Sequence, residues 1–417
     1  MTVTMSATLA ADEEFERRRL AGERVLFLAT GEIGLPVLPE LREQLIAASG
    51  RNAYGPVAGS PEVRLAAAGY WNRRGLPTDP ADVVCGPGTK PLLFALMMAV
   101  GGDVVVPVPT WVSYAAQAQL AGLRSIPVRT RPGEGGVPDP TELRAQVLQA
   151  RKAGGNPRSV VVTLPDNPTG TIAKPETVRE LAEVARELDL VIISDEIYCD
   201  LAYAPAVSPA IYAPERTVVT TGLTKNLAVG GWRLGVARLP TEELRTRLIS
   251  IASQIWSSTA APVQAAAAYA LAEPPEVIKR VAASRRLHER VARRVAEVFT
   301  AVGAELAPVQ ATCYLYPDFE PLRGQLGVSG SDELTKLLST QYGVALLPGT
   351  AFGEPEGSLR IRAATSRLYG ETEAERHAAL VAPDPLTLPW ISESIDRLTE
   401  VLTELTKESN VHRHLRS

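Results

Sequence analysis

Histidine is scarce in this chain. There are four in 417 residues (His288, His377, His412 and His414), all in the C-terminal third. That speaks against a histidine-based metal centre or a Ser-His-Asp nucleophile. Cysteine is rarer still: Cys85, Cys199 and Cys313 are far apart and odd in number. A disulfide framework is excluded on that basis, no zinc-ligand spacing is present, and reduced thiols in the cytoplasm are expected. No apolar run reaches bilayer length, "PLLFALMMAV" being typical, so no membrane span is expected. The first twenty residues hold no apolar signal core, so no secretory leader is expected. An excess of one charge is also missing. A net charge of −4 with 22% charged residues gives no reason to expect nucleic acid or an anionic membrane as partner.

What is present is an alternation. From about residue 82, short β-branched runs ("DVVCG", "DVVVPVP", "SVVVTLP", "LVIISDE", "TVVTTG", "RLGVARLP") are separated by helix-like stretches. Continuous apolar strands with crossover helices predict a mostly parallel sheet covered on both faces. This is an α/β domain whose site is expected at the carboxyl ends of its strands. Residues 274–302 read as one long amphipathic helix. Beyond it, short apolar runs at 314–316, 344–347 and 359–362 predict a smaller α+β domain. "VAPDPLTLPW" reads as a loop before a last helix, "ISESIDRLTEVLTELTK". A chain of 417 residues is long enough for two domains.

Several polar groups fall at strand ends: Asn167 after "VVVTLPD", Asp195 and Glu196 after "LVIIS", and Lys225 after "TVVTTGLT". A turn or a helix cap is the ordinary job of any one of them. Together they suit one chemistry. A lysine in a desolvated, cation-rich site has a lowered pKa and can bond an aldehyde as a Schiff base. Pyridoxal phosphate needs such a lysine, a carboxylate for its ring nitrogen, and backbone N–H groups plus a cation for its phosphate. "GPGTKP" (86–91) offers a glycine-rich turn between strand and helix, and Arg233 a cation.

The chain resembles the class I/II aminotransferases, fold-type I pyridoxal-phosphate enzymes of the aspartate aminotransferase kind. Seven blocks carry the resemblance in order: "YGPVAGSPEVR", "PTWVSY", "DNPTG", "SDEIY", "TKNLAVGGWRLG", "LLPGTAFG" and "LRIRAATS". It implies a seven-stranded-type sheet in a large cofactor domain (46–289). An N-terminal arm with part of the small domain (1–45) and a C-terminal small domain (290–417) complete the chain. It implies pyridoxal 5'-phosphate bonded by Lys225, which would also shuttle the proton, with Thr224 beside it. Asp195 would pair with the ring nitrogen, Tyr198 and Asn167 would bond the ring oxygen, and Trp111 would stack on the ring. Gly88, Thr89 and Lys90 would frame the phosphate with Arg233. Tyr54 would reach the neighbouring subunit's phosphate, which implies a homodimer with shared sites. Arg360 would grip the substrate α-carboxylate, with Gly31 and Asn167 close to it.

The sequence departs from that pattern in places. Arg362 stands where serine is usual, either as a second guanidinium near the substrate or on a half-exposed strand. Residues 367–391 are longer than the family's pattern, as an active-site cover or a surface loop. Lys90 either meets the distal carboxylate of an acidic donor or only sits near the phosphate. Three functions are compatible with these features. The first is ping-pong transfer of an amino group from an amino acid to a 2-oxo acid. The second keeps the cofactor but runs elimination, replacement, decarboxylation or oxidation. The third is a cofactor-binding regulatory domain without turnover.

Overall fold

The computed structural model describes residues 5–414, with side chains as far as Lys407; the side chains of His412 and His414 lie outside it. Its centre is an eight-stranded sheet in the order Val83–Gly86, Gly235–Arg238, Thr217–Gly222, Val191–Asp195, Pro157–Thr163, Asp103–Val108, Ser125–Arg131, Glu134–Pro138. Strand pairing from Thr217–Gly222 across to Ser125–Arg131 is parallel. Gly235–Arg238 runs antiparallel to both its neighbours. Glu134–Pro138 forms an antiparallel hairpin at the far edge. The six runs read from the sequence leave out this hairpin, Ser125–Arg131 and Glu134–Pro138; "EGGVP" has neither the β-branched content nor the alternation that marks a strand.

Alternate residues of each strand point to opposite faces, and both faces are covered. Val104, Val106, Val161 and Ile193 pack with helix Thr89–Val100. Val105, Val160, Val162 and Ile192 pack with helices Pro140–Lys152 and Pro175–Glu187. Several helices begin on proline, whose missing N–H costs nothing in the first turn. Asp139 caps one of them, accepting from Thr141 N at 2.8 Å.

The expected long helix spans Pro275–Ala301. Its Val277 belongs to the core beside the sheet, and Leu287 to Phe299 belong to a second core. The division expected at 289/290 therefore falls inside this helix. The second core also gathers Leu28, Ile361, Ile391 and Leu398. Leu26–Phe27 pairs with Val344–Ala345, so the N-terminal segment joins the C-terminal strands. Residues 367–391 are not a loop throughout. They contain helix Glu373–Val381, with a capping box of Thr372 and Glu375, and the last helix begins at Pro389. The stretch 382–388 between these helices is a loop with one short turn, Pro385–Thr387, in keeping with the reading of "VAPDPLTLPW". Among the described residues no helix is long and apolar enough to cross a membrane. No cluster among them could hold a metal.

Candidate active site

The parallel strands deliver their polar groups at one edge. Asp195 ends its strand in register with Thr163 on one side and Thr220 on the other. Asn167, Tyr198, Thr224 and Lys225 lie within a few residues of three neighbouring strand ends. They line one cleft of about 510 Å³, together with Gly31, Thr89, Lys90, Trp111, Arg233 and Arg362. A second cavity of about 560 Å³ is bounded by Tyr70, Trp71 and Arg74. Its Arg74 is already paired with Asp200 and Glu273 and it contains no lysine, so the chemistry belongs to the first cleft.

Asp195 is buried and accepts from the hydroxyls of Tyr114 at 3.0 Å and Thr220 at 3.3 Å. Among the described residues it has no ion-pair partner within bonding distance. Burial pushes its carboxyl up to about 6, and the hydroxyls and Lys225 pull the other way. Lys225 Nζ donates to Gly31 O at 2.9 Å and stands 5.8 Å from the Tyr198 ring centroid. Lys90 is half-buried, with Nζ 5.0 Å from the Trp111 ring centroid. Its pKa is lowered, first by burial, then by Arg233 and Lys225.

Helix Thr89–Val100 starts at Gly88, with φ 96° and no side-chain cap. Its first N–H groups therefore have no partner within the helix. Gly88 is favoured here by its positive φ, and the Arg233 guanidinium lies close against it, where a Cβ would push it aside. Arg233 itself holds φ 54° and donates to Gly230 O at 2.7 Å. This puts a guanidinium against an uncapped helix N-terminus, an arrangement suited to a phosphate dianion. A buried carboxylate without a counter-charge suits a cationic ring nitrogen, and the lysine suits an aldehyde. The residues therefore fit pyridoxal phosphate.

The arginine expected at the substrate carboxylate does not line this cleft. Arg360 keeps 41% of its side chain exposed and pairs with Asp318 and Glu354, each at 3.0 Å. Arg362 is only 1% exposed and lines the cleft. It donates to Asn167 Oδ1 at 3.0 Å and to Ala29 O. The two arginines lie two apart on a strand and so share a face, which is why their order in sequence could not separate them. With Asn167 Oδ1 accepting from Arg362, the NH₂ of Asn167 is the group that can donate to a ligand. The Tyr198 hydroxyl meets that of Tyr314 at 2.9 Å. Tyr54 is 91% exposed and lines no part of the cleft in this chain.

Other residues of the cleft carried no assignment in the sequence. Thr8, Leu9 and Asp12 arrive from helix Ala7–Leu20, which lacks any buried residue to mark a core face. Asp12 accepts from Thr30 Oγ1 at 3.0 Å, and burial raises its pKa. Tyr114 lay inside the quoted "PTWVSY" block, and its spacing from Trp111 was the available signal. Nothing in the sequence near Tyr314 pointed to the site.

The sequence pattern described as aminotransferase class I and II matches residues 23–369. Over 380 residues the chain is 32% identical to a probable aspartate/prephenate aminotransferase of Thermus aquaticus, covering 89% of this chain and 96% of the relative. An aspartate aminotransferase of Geobacillus stearothermophilus is 30% identical over 387 residues, with 90% and 96% covered. The solved aspartate aminotransferase of Thermus thermophilus with maleate superposes with a TM-score of 0.82 at 29% identity, covering 96% and 97%. The lysine, carboxylate and guanidinium groups of the cleft thus sit on a scaffold shared along almost its whole length, and the chain belongs to the class I and II aminotransferases as a transaminase.

Proposed function

We propose that this transaminase uses pyridoxal 5'-phosphate and takes its amino group from an acidic amino acid. One observation carries the reading: a buried carboxylate, a lysine and an uncapped helix N-terminus with its arginine line a single cleft that also holds the buried Arg362, which has no ion pair among the described residues. When bound, the cofactor supplies an aldehyde for a lysine amine and a ring that accepts electron density as a substrate carbon loses its proton. Asp195 keeps the ring nitrogen protonated. Trp111 covers the ring, and Tyr198 and the Asn167 NH₂ serve its oxygen. Gly88, Thr89 and Arg233 hold the phosphate end, with Thr224 beside Lys225.

Arg362 receives the substrate α-carboxylate in bidentate fashion, taking the part the sequence reading gave to Arg360. Lys225 Nζ, oriented by Gly31 O, removes the proton from the substrate Cα and returns it on the far side of the transfer. Lys90 meets the distal carboxylate of the donor; its lowered pKa reflects burial among cations, which a second anion would relieve. The relatives named for aspartate support this donor class. The exposed Tyr54 supports a homodimer in which it serves the neighbouring site, and the scarce, unpaired cysteines suit the cytoplasm.

Single-donor turnover tests this. With aspartate or glutamate and no acceptor, each site releases one 2-oxo acid and stops, and turnover resumes when a second 2-oxo acid is added. Lys90→Ala raises the KM for both acidic donors about 10- to 100-fold, by loss of one charge-assisted bond, and leaves uncharged donors unaffected. Sustained release of ammonia or CO₂ without an acceptor overturns transamination. An unchanged KM in Lys90→Ala overturns the acidic donor.

A further inference from the structure

We propose that Tyr314 is a positioning residue: it donates its hydroxyl hydrogen to the Tyr198 oxygen and so turns the Tyr198 hydrogen toward the cofactor. The inference rests on the reading above that Tyr198 serves the cofactor's ring oxygen. The two hydroxyls lie 2.9 Å apart, and both residues are buried, at 2% and 4% exposure. A phenol has one hydrogen, so only one member of the pair can donate within it. Among the described residues neither hydroxyl has another partner. If Tyr198 donated to Tyr314, it would have no hydrogen left for a ligand. If Tyr314 donates, its hydroxyl is satisfied and the hydrogen of Tyr198 is free to face the cleft. Burial raises the Tyr198 phenol well above its ordinary value, so it remains a donor through the neutral range.

Tyr314 is held firmly enough for such a role. A Cβ on Gly31 would collide with its hydroxyl, and one on Gly170 with its backbone oxygen. The chain thus packs glycine against it on both sides, and Gly31 is the residue whose carbonyl receives Lys225 Nζ. The Tyr314 ring packs edge-on to Tyr198, with centroids 5.5 Å apart. Its face lies 4.9 Å from the Arg362 guanidinium carbon. Tyr314 therefore touches both ends of the reacting centre: its hydroxyl serves the cofactor side and its ring seats the substrate arginine.

The test separates these two functions on the reconstituted holoenzyme by titrating the visible absorbance of the bound cofactor with pH. A donor at the ring oxygen lowers the titration midpoint, so its loss raises it. Tyr198→Phe raises the midpoint. Tyr314→Phe raises it less, by about half a unit to one unit, and leaves the donor KM within about twofold, since the ring remains. In the Tyr198→Phe background, Tyr314→Phe adds no further shift. Tyr314→Leu gives the same midpoint as Tyr314→Phe together with a raised donor KM. If Tyr314→Phe leaves the midpoint in place, or shifts it equally in both backgrounds, Tyr314 does not act through Tyr198 and the proposal is overturned. If Tyr198→Phe itself leaves the midpoint in place, the underlying reading of Tyr198 falls with it.

Discussion

Arg360 and Arg362 are the same residue on the same face of one strand, and their surroundings are opposite. Arg360 is partly exposed and meets two carboxylates, Asp318 and Glu354. Arg362 is almost fully buried and, among the described residues, meets none; its partners there are a side-chain amide and a backbone carbonyl, and its buried Nε has no partner among them. A buried charge without a counter-charge costs free energy. The fold bears that cost where a ligand can supply the missing charge. Asp195 is the complementary case, a buried anion served only by hydroxyls and a backbone N–H. Buried arginines served only by hydroxyls and carbonyls also occur away from the cleft, at Arg238 and Arg280; what marks the site is that Arg362, Asp195 and Lys225 line one cleft.

The strongest way to break the comparison is to remove each arginine in turn. Arg362→Ala is expected to lower kcat/KM about 10²- to 10⁴-fold, as two charge-assisted bonds to the α-carboxylate are lost. Arg360→Ala is expected to cost less than about fivefold in the same assay. Steady-state kinetics of both variants with one donor decides it. A larger loss in Arg360→Ala would return the carboxylate role to Arg360.

Asp195 extends the comparison to stability. Its carboxyl lies at about 6 in the fold against 3.8 in the ordinary state. The folded protein thus holds a proton that the unfolded chain releases between those values. The stabilisation from this group is complete below 3.8 and is lost as pH rises through about 6. It amounts to roughly 3 kcal/mol, two units at about 1.4 each. Urea unfolding of protein stripped of cofactor, at about pH 4 and about pH 7, should find Asp195→Asn gaining on the wild type by that amount at the higher pH. An equal difference at both values would show the carboxylate to be paired. Asp166, pushed to about 7 by burial, contributes a slope common to both proteins; Glu196, pushed to about 7 by burial and in smaller part by Asp195, contributes a somewhat smaller slope in the variant.

The smallest effect belongs to the completed pair. Glu354→Gln leaves Arg360 with Asp318 and keeps a hydrogen-bonding group in place, so a loss of about 1 kcal/mol is expected in the same unfolding assay. The donor KM should not move. A KM change comparable to that of Arg362→Ala would mean that Glu354 and Arg360 act on the substrate.

Much of this was legible in sequence, for local reasons. The strands from Asp103–Val108 to Thr217–Gly222 are continuous β-branched runs, and their ends carry Asn167, Asp195 and Lys225. The phosphate end was legible because a glycine-rich turn and a helix start lie next to each other in the chain. Helix Glu373–Val381 went unread although Thr372 and Glu375 form a capping box, because it is short and has one buried residue to mark a core face. The hairpin strand Glu134–Pro138 is held by its partner and by burial, with no propensity of its own to reveal it.

The sequence by itself determined the fold class, the family and the groups that act through their own strand ends, because period, turn chemistry and residue type are local properties. Only the tertiary structure decided which of two arginines is left without a carboxylate. It also decided that helix Ala7–Leu20 brings Asp12 to the cleft, and that Tyr314 meets Tyr198 across 116 residues of chain. The physical reason is common to all three. Burial and charge pairing depend on what other elements bring to a position, and no window of sequence around that position contains them.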